Sequence, residues 1–176
     1  MLHTASSWLT IWLLALTSLA AITDARTGLI PNWFTLPTLA MAPLVHGLLQ
    51  GPGALGFSIA GAVVCGVVPL LLFGLRAIGG GDLKLFAALG ALWGMQLGLE
   101  AQLLSYMLGA LYALCLLAYR GTLLATLGRS LALLVTPFLH TSRRKPPPAE
   151  AMTPIRLGAA IFLASSLLVA RSALGL

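Results

Sequence analysis

The chain has 176 residues, 59% of them hydrophobic and 8% charged, with a formal net charge of +6 and a mean hydropathy of +1.00. A soluble domain carries about 25% charged residues, so this composition excludes an ordinary water-soluble enzyme and indicates an integral membrane protein. The positive balance does not call for a nucleic-acid partner, because the basic residues follow the loops of a membrane topology.

A helix needs about 20 apolar residues to cross the roughly 30 Å hydrocarbon core. In chain order, such stretches are 5–23, then 34–50, then 54–75 after the turn Gly51-Pro52-Gly53. Stretches 83–98 and 99–119 follow, divided near Gln96–Gln102 around Glu100, and 155–174 is the last. The first resembles a signal-peptide core, with Ser18-Leu19-Ala20 as a cleavage tripeptide, but no Lys or Arg precedes it, so it reads as a span. Segment 122–138 is apolar yet carries Arg129 at its middle and Pro137 at its end, the pattern of a helix lying in the interface. Segment 139–154 is charged and then proline-rich, hence an extended, solvated linker. The expected fold is therefore all-α: a polytopic membrane bundle of about six transmembrane helices plus one interfacial helix, forming one domain over 1–176.

Charge gives this bundle an orientation. If the 24–33 loop is cytoplasmic, so are 76–82 and 120–154. The cytoplasmic face then collects Arg26, Arg76, Lys84, Arg120, Arg129, Arg143, Arg144, Lys145 and Arg156, leaving Arg171 of the ten basic residues near the other face. That asymmetry is what the positive-inside rule requires, and it places both termini outside the cytoplasm. Close helix packing is expected at Gly90-xxx-Gly94, Gly94-xxx-Gly98 and Ala62-xxx-Gly66, where small residues let backbones approach.

The chain contains two aspartates, Asp24 and Asp82. On this topology both lie at the cytoplasmic end of a span, at one depth, and meet if their helices are neighbours. Asp82 before a helix is explicable as an N-cap, which stabilises by about 1 kcal/mol. Asp24 is not so easily explained, because it follows the last turn of a helix, where the negative end of the dipole disfavours a carboxylate. After it, Gly28 and Pro31 break helix, and Pro31 holds Ile30 extended. Asn32 carries an amide that can bond the backbone groups left unpaired. Before Asp82, the run Gly79-Gly80-Gly81 lets another backbone come close. Irregular backbone at membrane depth is tolerated where protein or a water-filled cavity covers it, so the pattern describes a wet notch with two carboxylates.

At these residues the sequence resembles the type IV prepilin peptidases, membrane aspartyl proteases of the GxGD type. Asp24 through Ile30-Pro31-Asn32 meets one motif of that family; Gly79, Gly81, Asp82 and Lys84 meet the other. The resemblance implies Asp24 and Asp82 as catalytic residues, with Ile30, Pro31, Asn32, Gly79, Gly80, Gly81 and Lys84 in support, and no metal or cofactor. It further implies a prepilin substrate, cleaved at the cytoplasmic face of the bacterial inner membrane. The N-terminal segment with paired CxxC motifs found in larger members is missing here, so N-methylation is not implied and the short Flp or tight-adherence subtype is expected. Family members often follow the proline near 154 with an aromatic and a glycine, where Ile155 and Arg156 stand here.

Other chemistries fit less well. His3, His46 and His140 show no HExxH spacing, which argues against a zinc protease. No serine lies in a GxSxG context, as a serine hydrolase would require. A small ion- or proton-coupled transporter is the chief rival, since intramembrane carboxylates also mark ion pathways; it predicts acids near the midplane and two related halves. A non-catalytic assembly subunit is the other. Lys84 reads equally as a snorkelling side chain or a substrate contact.

Overall fold

The computed structural model describes residues 7–121 and 157–175. The interfacial helix expected over 122–138 and the linker 139–154 lie outside the described residues. Within them the chain forms α1 (Ser7–Thr27), α2 (Asn32–Gln50), α3 (Pro52–Gly74), α4 (Gly80–Tyr119) and α5 (Gly158–Ala173), with no strand. By length and composition α1, α3 and α4 are apolar enough to cross a membrane, and α5 is a shorter apolar helix. The fold is thus an all-α membrane helical bundle.

The helix boundaries follow local chemistry. α1 ends at Gly28, whose φ of +69° lets its N–H turn back onto the Asp24 carbonyl at 2.9 Å, a left-handed C-cap. Asp24 therefore lies inside the last turn of α1 rather than after it. α3 ends in two crossed bonds, Ala77 N–H to the Leu72 carbonyl at 2.8 Å and Arg76 N–H to that of Phe73 at 2.9 Å. This is a Schellman motif, with Arg76 at φ +58° where glycine is usual.

α4 is not one rod. In a continuous helix, Phe86 and Tyr106 would be separated by about 30 Å along the axis, yet their ring centroids are 5.3 Å apart. The chain reverses at Gly94, whose φ of +78° and ψ of 178° fall in a region essentially confined to glycine. Arms 80–93 and 95–119 consequently run antiparallel. The sequence reading divided this region into two spans but put the boundary near Gln96–Gln102; it lies at Gly94. Glu100, which suggested the later boundary, sits inside the second arm and pairs with Arg171 of α5.

Small residues govern how closely the helices cross. A Cβ on Gly61 of α3 would lie 2.2 Å from the Gly90 carbonyl oxygen, and one on Gly90 would lie 2.2 Å from that of Gly61. Without hydrophobic driving force between helices in lipid, such backbone approach is a principal source of association. Gly90 thus packs on Gly61, not through a ladder with Gly94, which is spent on the turn. Gly98 closes the hairpin, since its Cβ would meet the Cys65 sulfur at 2.6 Å and the Gly90 Cα at 3.0 Å. Gly66 makes only ordinary contact, with Ala87 at 3.7 Å.

A buried seam of Leu13, Leu16 and Ala20 on α1, Phe34 on α2, Leu85, Phe86 and Leu89 on α4, and Ile161 on α5 fills the centre. Leu48, Phe57, Leu71 and Leu103 are exposed on the outside. Helices apolar on all sides are what a hydrocarbon surrounding demands.

Candidate active site

The C-terminal end of α1 and the N-terminal ends of α2, α4 and α5 converge at one end of the bundle. The opposite end is marked by the Glu100–Arg171 pair and by His46 Nε2 bonded to the Leu92 carbonyl at 3.2 Å. Both sequence motifs therefore belong to one site.

Asp24 is buried and its Oδ2 accepts the Gly158 backbone N–H at 2.9 Å. α5 opens with Leu157 at its N-cap and has no side-chain cap of its own, so one of its orphan amide donors is supplied by a carboxylate from α1. This resolves the position that looked unfavourable from sequence. Asp24 sits at the negative end of α1 but also at the positive end of α5, where an anion is stabilised. Glycine at 158 is a steric requirement, because a Cβ there would lie 2.8 Å from Asp24 Cβ and 2.9 Å from its Oδ2.

Asp82 is the third residue of α4, and the N-cap, expected at Asp82, is Gly79. Its Oδ2 accepts the Gly79 N–H at 3.1 Å, half of a capping box that Gly79 has no side chain to complete. Gly81, next to Asp82, lies against Ile30, and Lys84 bonds Asn32, so Asp82 stands at the same end of the bundle as Asp24. Each aspartate thus has one oxygen held by a backbone N–H at a helix N-terminus. Among the described residues neither Oδ1 has a hydrogen-bond partner.

The supporting motifs meet across the site. Gly81 faces Ile30 so closely that a Cβ would lie 2.8 Å from Ile30 Cβ, 3.3 Å from its carbonyl oxygen and 3.4 Å from its nitrogen. Pro31, with φ −68° and ψ 145°, is the N-cap of α2. Asn32 Oδ1 accepts from Lys84 Nζ at 2.7 Å. Gly80 packs against the ring of Phe73, with 3.4 Å from a would-be Cβ.

Sequence reasoning did not reach three of the site's neighbours. Gly158 lies 134 positions from the Asp24 it touches, and its only cue is its place next to a helix start. Tyr106 packs at a tilt against Phe86, which lies one turn beyond Asp82. Gln102, almost fully buried, donates from Nε2 to the Tyr106 hydroxyl at 3.1 Å. Both lie in the second arm of α4 and come near Asp82 only because the chain reverses at Gly94. Among the described residues no group of three or more His, Cys, Asp or Glu side chains is placed to hold a metal ion.

Over 102 residues the chain is 36% identical to a prepilin leader peptidase/N-methyltransferase of Bacillus subtilis (strain 168), covering 56% of this chain and 40% of the relative. The chain thus spans about two fifths of the length of that curated relative. No solved structure matches it. A profile of the type IV leader peptidase family matches residues 8–114, which take in both aspartates and both motifs, and the chain belongs to that family.

Proposed function

We propose that this protein is a membrane-embedded aspartic endopeptidase that removes the leader peptide of a prepilin, of the Flp-like class, at the cytoplasmic face of the inner membrane. The observation that carries the reading is the convergence of Asp24 and Asp82, from helices remote in sequence, at one end of the bundle. Membership of the leader peptidase family supports it, as does the name of the bacterial relative. Asp24 and Asp82 stand at a rim of the bundle, which favours a protease over a transporter with acids at the bilayer midplane.

The chemistry follows from two carboxylates in one neighbourhood, which share a single proton because both do not ionise readily together. A water molecule sits between the two Oδ1 atoms. The ionised carboxylate takes a proton from this water as its oxygen attacks the scissile carbonyl carbon. The protonated carboxyl gives its proton to the carbonyl oxygen, forming a gem-diol. Collapse breaks the C–N bond, the departing nitrogen receives a proton, and the acid and amine products leave with the dyad singly protonated again. The Oδ2 atoms, bonded to the Gly79 and Gly158 amides, hold both carboxylates in orientation so that little reorganisation accompanies the reaction.

Co-expression with a Flp-like prepilin tests the proposal. Wild type shortens the pilin on a gel, whereas Asp24→Asn and Asp82→Asn accumulate in the membrane at normal levels and leave it full length. Processing by Asp24→Asn at the wild-type rate would refute the scheme.

A further inference from the structure

The two aspartates belong to helices that scarcely hold each other. α1 packs chiefly against α5, whereas α4 packs chiefly against α3 and also against α2 and α5; direct packing of α1 on α4 is slight. The separation of Asp24 from Asp82 is therefore not set by the helices that carry them. It is set through α5, which packs on both of them, and through the short connection 28–32 that leaves α1 beside Asp24 and enters α2.

The start of α4 grips that segment at two places. Gly81, adjacent to Asp82, seats Ile30 against its bare Cα. One helical turn on, Lys84 Nζ donates to Asn32 Oδ1 at 2.7 Å, tying the first residue of α2 to the fifth of α4. Lys84 forms no ion pair among the described residues, and Asp82 is turned the other way, to Gly79. A neutral amide accepts the ammonium proton without placing a third carboxylate beside the dyad.

We infer that Lys84 and Asn32 form a clasp that helps set the spacing of the two aspartates, so that Lys84 is a positioning residue and not a substrate contact. The inference rests on the protease reading for its consequence in catalysis, but the contact itself is tested without it.

Three variants separate the possibilities: Lys84→Met and Asn32→Leu, which keep bulk and lose donor or acceptor, and Lys84→Arg, which keeps a donor. Misplacing a catalytic group by about 1 Å costs up to about a hundredfold in rate. Lys84→Met and Asn32→Leu are each expected to lower kcat about tenfold or more with KM within about twofold. The double variant is no slower than either single one, because both remove the same bond, and Lys84→Arg retains most of the rate. A raised KM in Lys84→Met with Asn32→Leu unaffected makes Lys84 a substrate contact and overturns the clasp. Unchanged kinetics in Lys84→Met overturns it as well.

The chain's other lysine is Lys145, which supplies an internal reference for a readout independent of activity. In intact membranes, acetylation of Lys84 by an N-hydroxysuccinimide ester, relative to Lys145, rises at least about twofold in Asn32→Leu as the amine is freed. An unchanged ratio overturns the contact whatever the kinetics. A wild-type protein that cleaves no prepilin while the labelling still responds to Asn32→Leu refutes the protease reading and leaves the clasp standing.

Discussion

Replacing Gly158 by Ala asks whether the cap that α5 offers to Asp24 matters. The added Cβ would stand 2.8 Å from Asp24 Cβ, 2.9 Å from Asp24 Oδ2 and 3.1 Å from the Ala20 carbonyl oxygen. Ordinary contact begins at 3.4 Å, so the Cβ atoms must part by at least 0.6 Å, the difference between 3.4 and 2.8 Å. Two costs follow. Overpacking in a filled interior is worth about 1–3 kcal/mol, and disrupting a buried hydrogen bond to a charged group about 1.5–3 kcal/mol. Against them, alanine is favoured over glycine in a helix by up to about 1 kcal/mol. The net expectation is a loss of about 1.5–5 kcal/mol, with a fall in cleavage rate approaching a hundredfold as Asp24 is pushed from its place. The assays are a cleavage time course on a prepilin in membranes and a thermal melt of the detergent-solubilised protein. In an Asp24→Gly background, which lacks the side chain and under the proposed scheme does not cleave, Gly158→Ala costs less than about 1 kcal/mol. If Gly158→Ala cleaves within twofold of wild type and melts no lower, the steric argument is wrong and the Asp24–Gly158 bond does not orient the carboxylate.

Three further outcomes are expected. Gly81→Ala places a Cβ 2.8 Å from that of Ile30, so it lowers kcat about tenfold or more; wild-type kinetics would show that the 28–31 segment yields freely. Gly90→Ala sets a Cβ 2.2 Å from a backbone oxygen of Gly61, a clash no rotamer relieves, and membrane accumulation should collapse, as quantitative blotting would report. Arg171→Ala removes a half-exposed pair with Glu100 at the far end; it changes stability by less than about 1 kcal/mol and leaves cleavage within twofold, and a larger effect would mean that the far end controls the site.

The helices were legible because lipid imposes a simple rule: backbone polar groups must be satisfied within the segment, so each long apolar run becomes helix. Gly51 ended α2 after Gln50 where the residues said it would, whereas α1 ran on past the expected end at 23 to Thr27, so that Gly28 closes a helix that includes Asp24. The reversal in α4 was misplaced because polarity was taken as its sign. A chain that stays apolar through a tight hairpin marks the turn by conformation alone, and only Gly94 tolerates it. The small-residue pattern at 90–98 had the right residues but partly the wrong partners, since spacing along one helix does not say which helix will cross it.

By itself the sequence determined that the chain lives in a membrane, that its two aspartates stand at helix ends, and that glycines flank one and a helix-breaking turn follows the other. Only tertiary structure decided that Asp24 would rest on the first amide of α5, that Lys84 would reach Asn32, and that Tyr106 would return to the neighbourhood of Asp82. These contacts join groups far apart along the chain, and no local propensity encodes them. They depend on which helix faces lie together, a choice made by the closest approach that glycine allows.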